Sequence, residues 1–327
     1  MLSKNSCLSC TRTSLGHDEP LLGTAPPGTR GYVLVEYSPG WPHLNQWNTK
    51  LPSEMIHAQQ QAEACGLQFL LIRRVGAPRR LVSEPRIYAA FIQGNKPWVH
   101  GGRLTGLSTV GTLDMGAIAE GYPPDGTTPL TEPLLFVCTH GKQDMCCSVL
   151  GLKFAKILAQ HKQFHAAVWE VSHIGGHRFA PTLFCLSNGT CYYYGRVGLY
   201  HNDFGKDDVN TQEVLDFART CHRGEVDLKH CRGNATWPAA VQAAEVFARE
   251  KTGEREVSAV QPLEWFERDG NIHVELRVGE ELCHVTVTSA YRGVRRLSCS
   301  SGYLPENLPH FELVDITPAP EPRLATA

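Results

Sequence analysis

The sequence predicts an α/β fold in which a strand–helix–strand–strand unit occurs twice in tandem, followed by a helical and antiparallel-strand region. Two observations carry this reading. The longest apolar runs, Gly66–Ile72 and Pro133–Val137, have the length of strands, while residues 51–65 and 147–161 space their apolar side chains at helical intervals. The order of elements over residues 31–103 then returns over residues 134–197, as an internal repeat requires.

Residues 1–30 are rich in Ser, Thr, Gly and Pro without periodicity and are expected to form a loop or extended lead-in. Tyr32-Val-Leu-Val-Glu-Tyr37 is β-branched and aromatic, hence a strand. Leu51, Met55, Ile56, Ala62 and Ala64 mark a helix, and Leu67–Ile72, Arg86–Gln93 and Trp98–Arg103 complete the first unit. In the second, Leu134–Val137 is a strand, Val149, Leu150, Leu152, Phe154, Ile157 and Leu158 put a helix over Cys147–His161, and Ala166–Val171, Ala180–Cys185 and Cys191–Val197 are strands. Each unit closes on a glycine–arginine pair, Gly102-Arg103 and Gly195-Arg196. Both are expected to be of thioredoxin-like type. The Gly/Pro/Thr-rich stretch Thr105–Thr131 sets the boundary between a unit over 1–125, without ligands, and one over 126–200. In the extension 201–327, Val209–Cys221 and Pro238–Lys251 read as helices, the latter entered through Trp237-Pro238. Ile272–Val278, Cys283–Ser289 and Val294–Ser298 alternate apolar and polar residues as antiparallel strands do, and Pro318–Ala327 is expected to fray.

Composition narrows the function classes. The 327 residues are 42% hydrophobic and 20% charged, with 31 Lys+Arg against 33 Asp+Glu and a net charge of −2. That balance argues against nucleic acid as the main partner, because neutralising phosphates needs a basic face. No apolar run approaches the ~18 residues of a membrane span, and Met1–Arg30 lacks the basic and apolar regions of a secretory signal. A cytoplasmic protein without a membrane partner is expected. Its twelve cysteines then point to metal binding, redox chemistry or buried thiols rather than to a disulfide framework.

The cysteines that carry chemistry lie in the second unit. Cys138 ends a strand and opens the loop Thr139-His-Gly-Lys-Gln-Asp-Met145; Cys146 and Cys147 then start a helix. The next strand runs into Ser172-His173-Ile-Gly-Gly-His177-Arg178. In a βαβ unit both strand ends and the helix start lie at one edge of the sheet, so two cysteines and two histidines can converge there. A helix N-terminus favours a thiolate, and Gly175 and Gly176 let the backbone curl between the histidines. Thiolates with imidazoles suit zinc or a [2Fe–2S] cluster. Zinc fingers space their cysteines by two to four residues; seven intervene between Cys138 and Cys146 and eight between Cys138 and Cys147, which fits a wider, two-iron object better.

Cys138-Thr-His-Gly-Lys-Gln-Asp-Met-Cys-Cys147 together with Ser172-His-Ile-Gly-Gly-His-Arg-Phe-Ala180 resembles the sucrase/ferredoxin-like family. Gly23-Thr-Ala25, the strand into Pro39-Gly-Trp41 and Arg223-Gly-Glu225 also look familial, although the specific part is residues 138–180. The resemblance implies a thioredoxin-like protein holding a [2Fe–2S] cluster through Cys138, Cys147, His173 and His177. The family pattern Cys-x8-Cys selects Cys147 over Cys146, which remains the substitute ligand. Two histidines in place of the second cysteine pair of other thioredoxin-like ferredoxins imply a raised potential that depends on pH.

His140 is expected to support a ligand rather than to be one. Cys7-x-x-Cys10 resembles a redox or metal half-site, but in a structureless lead it is expected to carry no function. Cys185, Cys191, Cys221, Cys231, Cys283 and Cys299 read as core or surface thiols, and Lys142, Lys153 and Arg178 as a solvated face. No nucleotide-binding, phosphate-loop or nucleophile-elbow motif appears, and no convincing carboxylate pair supports glycoside hydrolysis. The expected role is one-electron, proton-coupled transfer: Cys138 and Cys147 on the buried iron, His173 and His177 on the outer one, a flavoprotein or other reductase as donor, and iron–sulfur assembly machinery to load the site. The alternatives are a redox or cluster-state sensor or cluster-transfer module, and a zinc-stapled structural protein.

Overall fold

The structure, a computed structural model, describes residues 9–202, 206–291, 295–296, 298–299, 303–304 and 309–318. Its helices are α1 (Cys10–Gly16), α2 (Trp47–Lys50), α3 (Ser53–Ala64), α4 (Met115–Ala119), α5 (Leu152–Gln160), α6 (Thr211–His222) and α7 (Ala239–Thr252). A ten-stranded mixed sheet takes β1 (Gly31–Glu36), β2 (Leu67–Arg73), β3 (Arg86–Phe91), β4 (Trp98–Arg103) and β5 (Thr128–Pro129) from one half. From the other half it takes β6 (Leu134–Cys138), β7 (Val168–Val171), β8 (Thr182–Ser187) and β9 (Thr190–Gly195). A ribbon of β10 (Leu199–His201) and β11 (Asp207–Val209) follows, and β12 (Cys231–Asn234) extends the sheet beyond β9.

The two halves share one connectivity. In each, the first strand pairs in parallel with the second and antiparallel with the third (β1 with β2 and β3; β6 with β7 and β8). A parallel pair needs a crossover, supplied by α3 in one half and α5 in the other. The halves join where β2 meets β7, antiparallel, through Ile72↔Val171 and Arg73↔Glu170. Equivalent strands meeting antiparallel define a local two-fold axis between the halves.

The sheet folds over at this seam. Tyr32 on β1 and Phe184 on β8 are four strands apart in the sheet order, about 19 Å if it were flat, yet their rings stack with centroids at 5.2 Å. Phe136, Phe184 and Tyr193 continue the stack, and Tyr88 meets Phe136 and Trp169 edge-on. All are buried. The faces away from the crossover helices thus pack on each other through one aromatic layer, while Val33, Val35 and Met55 form a core under α3, and Leu135, Val137, Phe154 and Phe217 another under α5 and α6.

Helix α7 lies between this sheet and a second, antiparallel one of β13 (Val260–Arg268), β14 (Asn271–Val278) and β15 (Glu281–Tyr291), with β16 (Arg295–Arg296) and β17 (Tyr303–Leu304) as a small ribbon and β18 (Pro309–Pro318) beside β15. Val241, Ala244 and Ala248 pack on Val274, Leu276, Val285 and Val287. On the other side, the fully buried Glu245 and Arg249 reach Tyr192 of β9: the Tyr192 hydroxyl donates to Glu245 and accepts from Arg249 Nη2 (2.8 Å). Among the described residues no helix is long and apolar enough to cross a membrane.

Several expectations are corrected. The lead-in is not structureless: Cys10–Gly16 is helical, capped by the Ser9 hydroxyl accepting from the Arg12 N–H (3.0 Å), and Cys10 is fully buried. Seven residues are too few to display periodicity, and helices this short rest on capping and packing. The Gly/Pro/Thr-rich stretch Thr105–Thr131 is not all loop: it holds a 3-10 turn (Leu107–Thr112), α4 and β5, which pairs with β4. Strands β13 and β18 were not anticipated, because beyond Val260 and Pro262 the residues of β13 are exposed and their sequence does not alternate. Cys7 and residues 319–327 lie outside the described residues.

Candidate metal centre

Strand β6 ends at Cys138, and the Thr139 N–H donates to the Val171 carbonyl at 3.2 Å, holding the two strand ends together. The chain turns back through His140–Asp144, whose Asp144 N–H donates to the His140 carbonyl (3.1 Å), and re-enters as a π-helical turn over Cys147–Gly151 ahead of α5. Gly151 sits directly on the Cys138 carbonyl, where any Cβ would overlap it. This contact brings Cys147 down to Cys138, and π turns of this kind occur often at functional sites. Strand β7 is pinned by Ser172, whose N–H donates to the Leu71 carbonyl (2.8 Å) and whose Oγ accepts from the Leu71 N–H (3.0 Å). Gly175 and Gly176 then take left-handed φ values of 78° and 66°. That reversal lays the His177 ring beside His173, centroids 5.1 Å apart.

The ligand atoms of Cys138, Cys147 and His173 lie within 4.8 Å of one another. Both thiols are fully buried and His173 half-buried. Burial alone would raise the Cys138 thiol, but hydrogen bonds from Cys147 and His173 outweigh it and hold it well below the usual thiol range; Cys147 is raised well above it by the same bond and by burial. His173 Nδ1 is buried with no hydrogen-bond partner among the described residues. Two buried thiols and an imidazole with their ligand atoms this close form a donor set that fits zinc or an iron–sulfur cluster.

His177 stands outside that three-residue group. Its Nε2 lies 3.7 Å from Asp144 Oδ2. His140 is buried: its Nδ1 accepts the His173 N–H (3.2 Å), which fixes the neutral tautomer whose Nε2–H donates to the Pro42 carbonyl (2.9 Å). Burial lowers its pKa, in keeping with a neutral ring. Cys146 points the other way, its sulfur 3.4 Å from Cys10 and 3.0 Å from Cys299. Lys142 is exposed, whereas Lys153 and Arg178 pair with Asp208 and Glu19, each at 2.7 Å.

Arg232, which nothing in the sequence singled out, is fully buried against Gly176. Among the described residues its guanidinium donates to neutral oxygens of Thr24 and Thr182. Burial, aided by Arg178, lowers its pKa to about 9. It is a positive charge placed behind the histidine turn by β12, far downstream of Cys147, and no spacing in the sequence signals it.

The structure so far defines a mixed α/β protein with a buried Cys/His group close enough to bind a metal. The sucrase/ferredoxin-like family matches residues 24–203, both halves of the large sheet and more than half of the chain, and the chain belongs to that family. It is also similar to "Altered inheritance of mitochondria protein 32" of Meyerozyma guilliermondii, 31% identical over 74 residues, which cover 21% of this chain and 26% of that relative. The chain thus spans about a quarter of that relative's length. No solved structure matches.

Proposed function

We propose that the protein binds a [2Fe–2S] cluster through Cys138, Cys147, His173 and His177 and transfers single electrons with an accompanying proton. The observation that carries the reading is the convergence of the Cys138, Cys147 and His173 ligand atoms within 4.8 Å, with the His177 ring beside His173, centroids 5.1 Å apart. Family membership supports it, as does the repeated βαββ connectivity, which we read as two thioredoxin-like units.

When bound, such a cluster supplies reversible one-electron storage. The chain's own residues do the rest. Cys138 and Cys147 contribute negative charge in a dry environment. His140 holds the His173 backbone in register through its Nδ1. Asp144 Oδ2 lies 3.7 Å from His177 Nε2. Arg232 supplies a buried positive charge that favours the more negative, reduced state. We take a flavoprotein or other reductase as donor, iron–sulfur assembly machinery as the source of the cluster and the cytoplasm as the compartment; the relative's link to mitochondria is that protein's.

The compactness of the three donor atoms favours one second reading, a single tetrahedral zinc in the same place. Anaerobic purification with visible absorption and iron, sulfide and zinc analysis separates the two. The proposal expects a red-brown protein with about two irons and two sulfides that bleaches with dithionite. A colourless protein that fails anaerobic reconstitution, or whose zinc disappears in Cys138→Ser, overturns it.

A further inference from the structure

A second group of soft donors lies beside the first and takes no part in it. The sulfurs of Cys10, Cys146 and Cys299 form a triangle with sides of 3.4, 3.0 and 3.5 Å. Asp144 completes it: its Oδ1 is 3.9 Å from Cys10 Sγ, and the ligand atoms of all four residues lie within 4.8 Å of one another. A disulfide would bring two sulfurs to about 2.05 Å. Around a zinc ion with Zn–S of about 2.3 Å, sulfurs are about 3.8 Å apart, close to the triangle seen here.

The carboxylate is also aimed. Asp144 Oδ1 accepts the Cys146 N–H and Oδ2 the Cys299 N–H, both at 2.9 Å, so it is held between the two cysteines it faces. Asp144, Cys10 and Cys146 are buried and Cys299 half-buried. The four residues come from the start of α1, the loop before the π turn, and the segment preceding β17, with separations of 136 and 153 positions between the cysteines. Chance burial of one free thiol is common. Three thiols and a carboxylate from three remote segments, closing on one point away from water, need a stronger reason.

We propose that Cys10, Cys146, Cys299 and Asp144 bind one zinc ion, a site separate from the cluster site. Binding releases one proton from each thiol and fills all four positions, so the ion is structural, without an open position for substrate. It ties the first helix and the C-terminal segment to the loop that carries Cys147. This also accounts for a cysteine next to Cys147 that the first site does not use.

The test is metal analysis of the full-length protein, purified anaerobically without chelator, alongside Cys10→Ser, Cys299→Ser and Cys138→Ser. One zinc per chain is expected in the parent, lost in Cys10→Ser and Cys299→Ser with iron and visible spectrum unchanged, and kept in Cys138→Ser. As a check independent of variant folding, Co2+ added to zinc-depleted parent should give thiolate-to-cobalt absorption at one equivalent. Zinc retained in Cys299→Ser, no uptake of Zn2+ or Co2+ by the reduced parent, or a disulfide between two of the three cysteines in the freshly isolated protein overturns the proposal. Iron without zinc would sink this site and leave the cluster reading standing; zinc that depends on Cys299 without any iron would do the reverse.

Discussion

The backbone N–H of His173 donates to Nδ1 of His140 at 3.2 Å. One histidine thereby fixes the start of the turn that presents another, and its own far nitrogen is anchored to the Pro42 carbonyl in the opposite half of the sheet. His140→Ala removes both bonds. Groups supporting a metal ligand commonly matter by 10–100-fold in affinity. A loss of about that size in iron retention, with an unchanged far-ultraviolet spectrum, is expected; full retention against a chelator would show that the bond is dispensable.

Replacing His173 and His177 together by cysteine should keep a cluster while lowering its potential and removing most of its pH dependence. The sign follows from charge: the reduced form holds a ligand proton more tightly, so with histidines the potential falls as pH rises. Potentiometry from pH 5 to 9 reads both effects, and a pair of coincident curves would sink the ligand assignment.

Gly151→Ala drives a Cβ into the Cys138 carbonyl. Backbone cannot yield as a flexible side chain does, so a destabilisation of about 1–3 kcal/mol is expected, with metal lost more severely than fold. Thermal melting and iron content of the variant, compared with Gly40→Ala in open space, would separate the local clash from a general effect of alanine.

Phe184 touches Tyr32, Phe136 and Tyr193 in the layer between the halves. Phe184→Ala should cost about 3–5 kcal/mol, and Phe184→Leu less. Denaturant unfolding measures both; near-equal costs would mean that the ring stack itself contributes little.

Tyr32, Tyr192, Tyr193 and Tyr194 are fully buried, and burial raises all four pKa values above the tyrosine norm. Folded values above the unfolded one, near 10, mean that these groups stabilise the fold at lower pH and that stability falls as pH rises past about 10. Tyrosinate absorbance in a pH jump should therefore appear in two phases, exposed tyrosines at once and the buried set with unfolding. A single instantaneous phase would contradict the burial.

Much of the fold was legible because β1, β6 and β8 are buried on both faces, and β2 at all but Gln68, so that they leave largely apolar runs. The site was legible in part because Cys138, Cys147 and His173 sit at strand and helix ends, where chain order implies proximity. The folding-over of the sheet was not, since Tyr32 and Phe184 meet through a seam of two residue pairs that no local pattern encodes. Neither was the partner set of Cys146, which lies 136 and 153 positions away, nor the helix of Cys10, stabilised by its cap and neighbours rather than by its own period.

Helix α7 belongs to two cores at once: Val241, Ala244 and Ala248 to the antiparallel sheet, and Val246, beside the Glu245–Arg249 pair, to the large one. Neither sheet can let go of the helix without uncovering the other and leaving a buried ion pair without its tyrosine partner. The two sheets are therefore bound into one cooperative folding unit, so that a probe in β14 and a probe in β6 should report the same melting transition, and a chain cut after α7 would expose an apolar stripe instead of shedding an appendage.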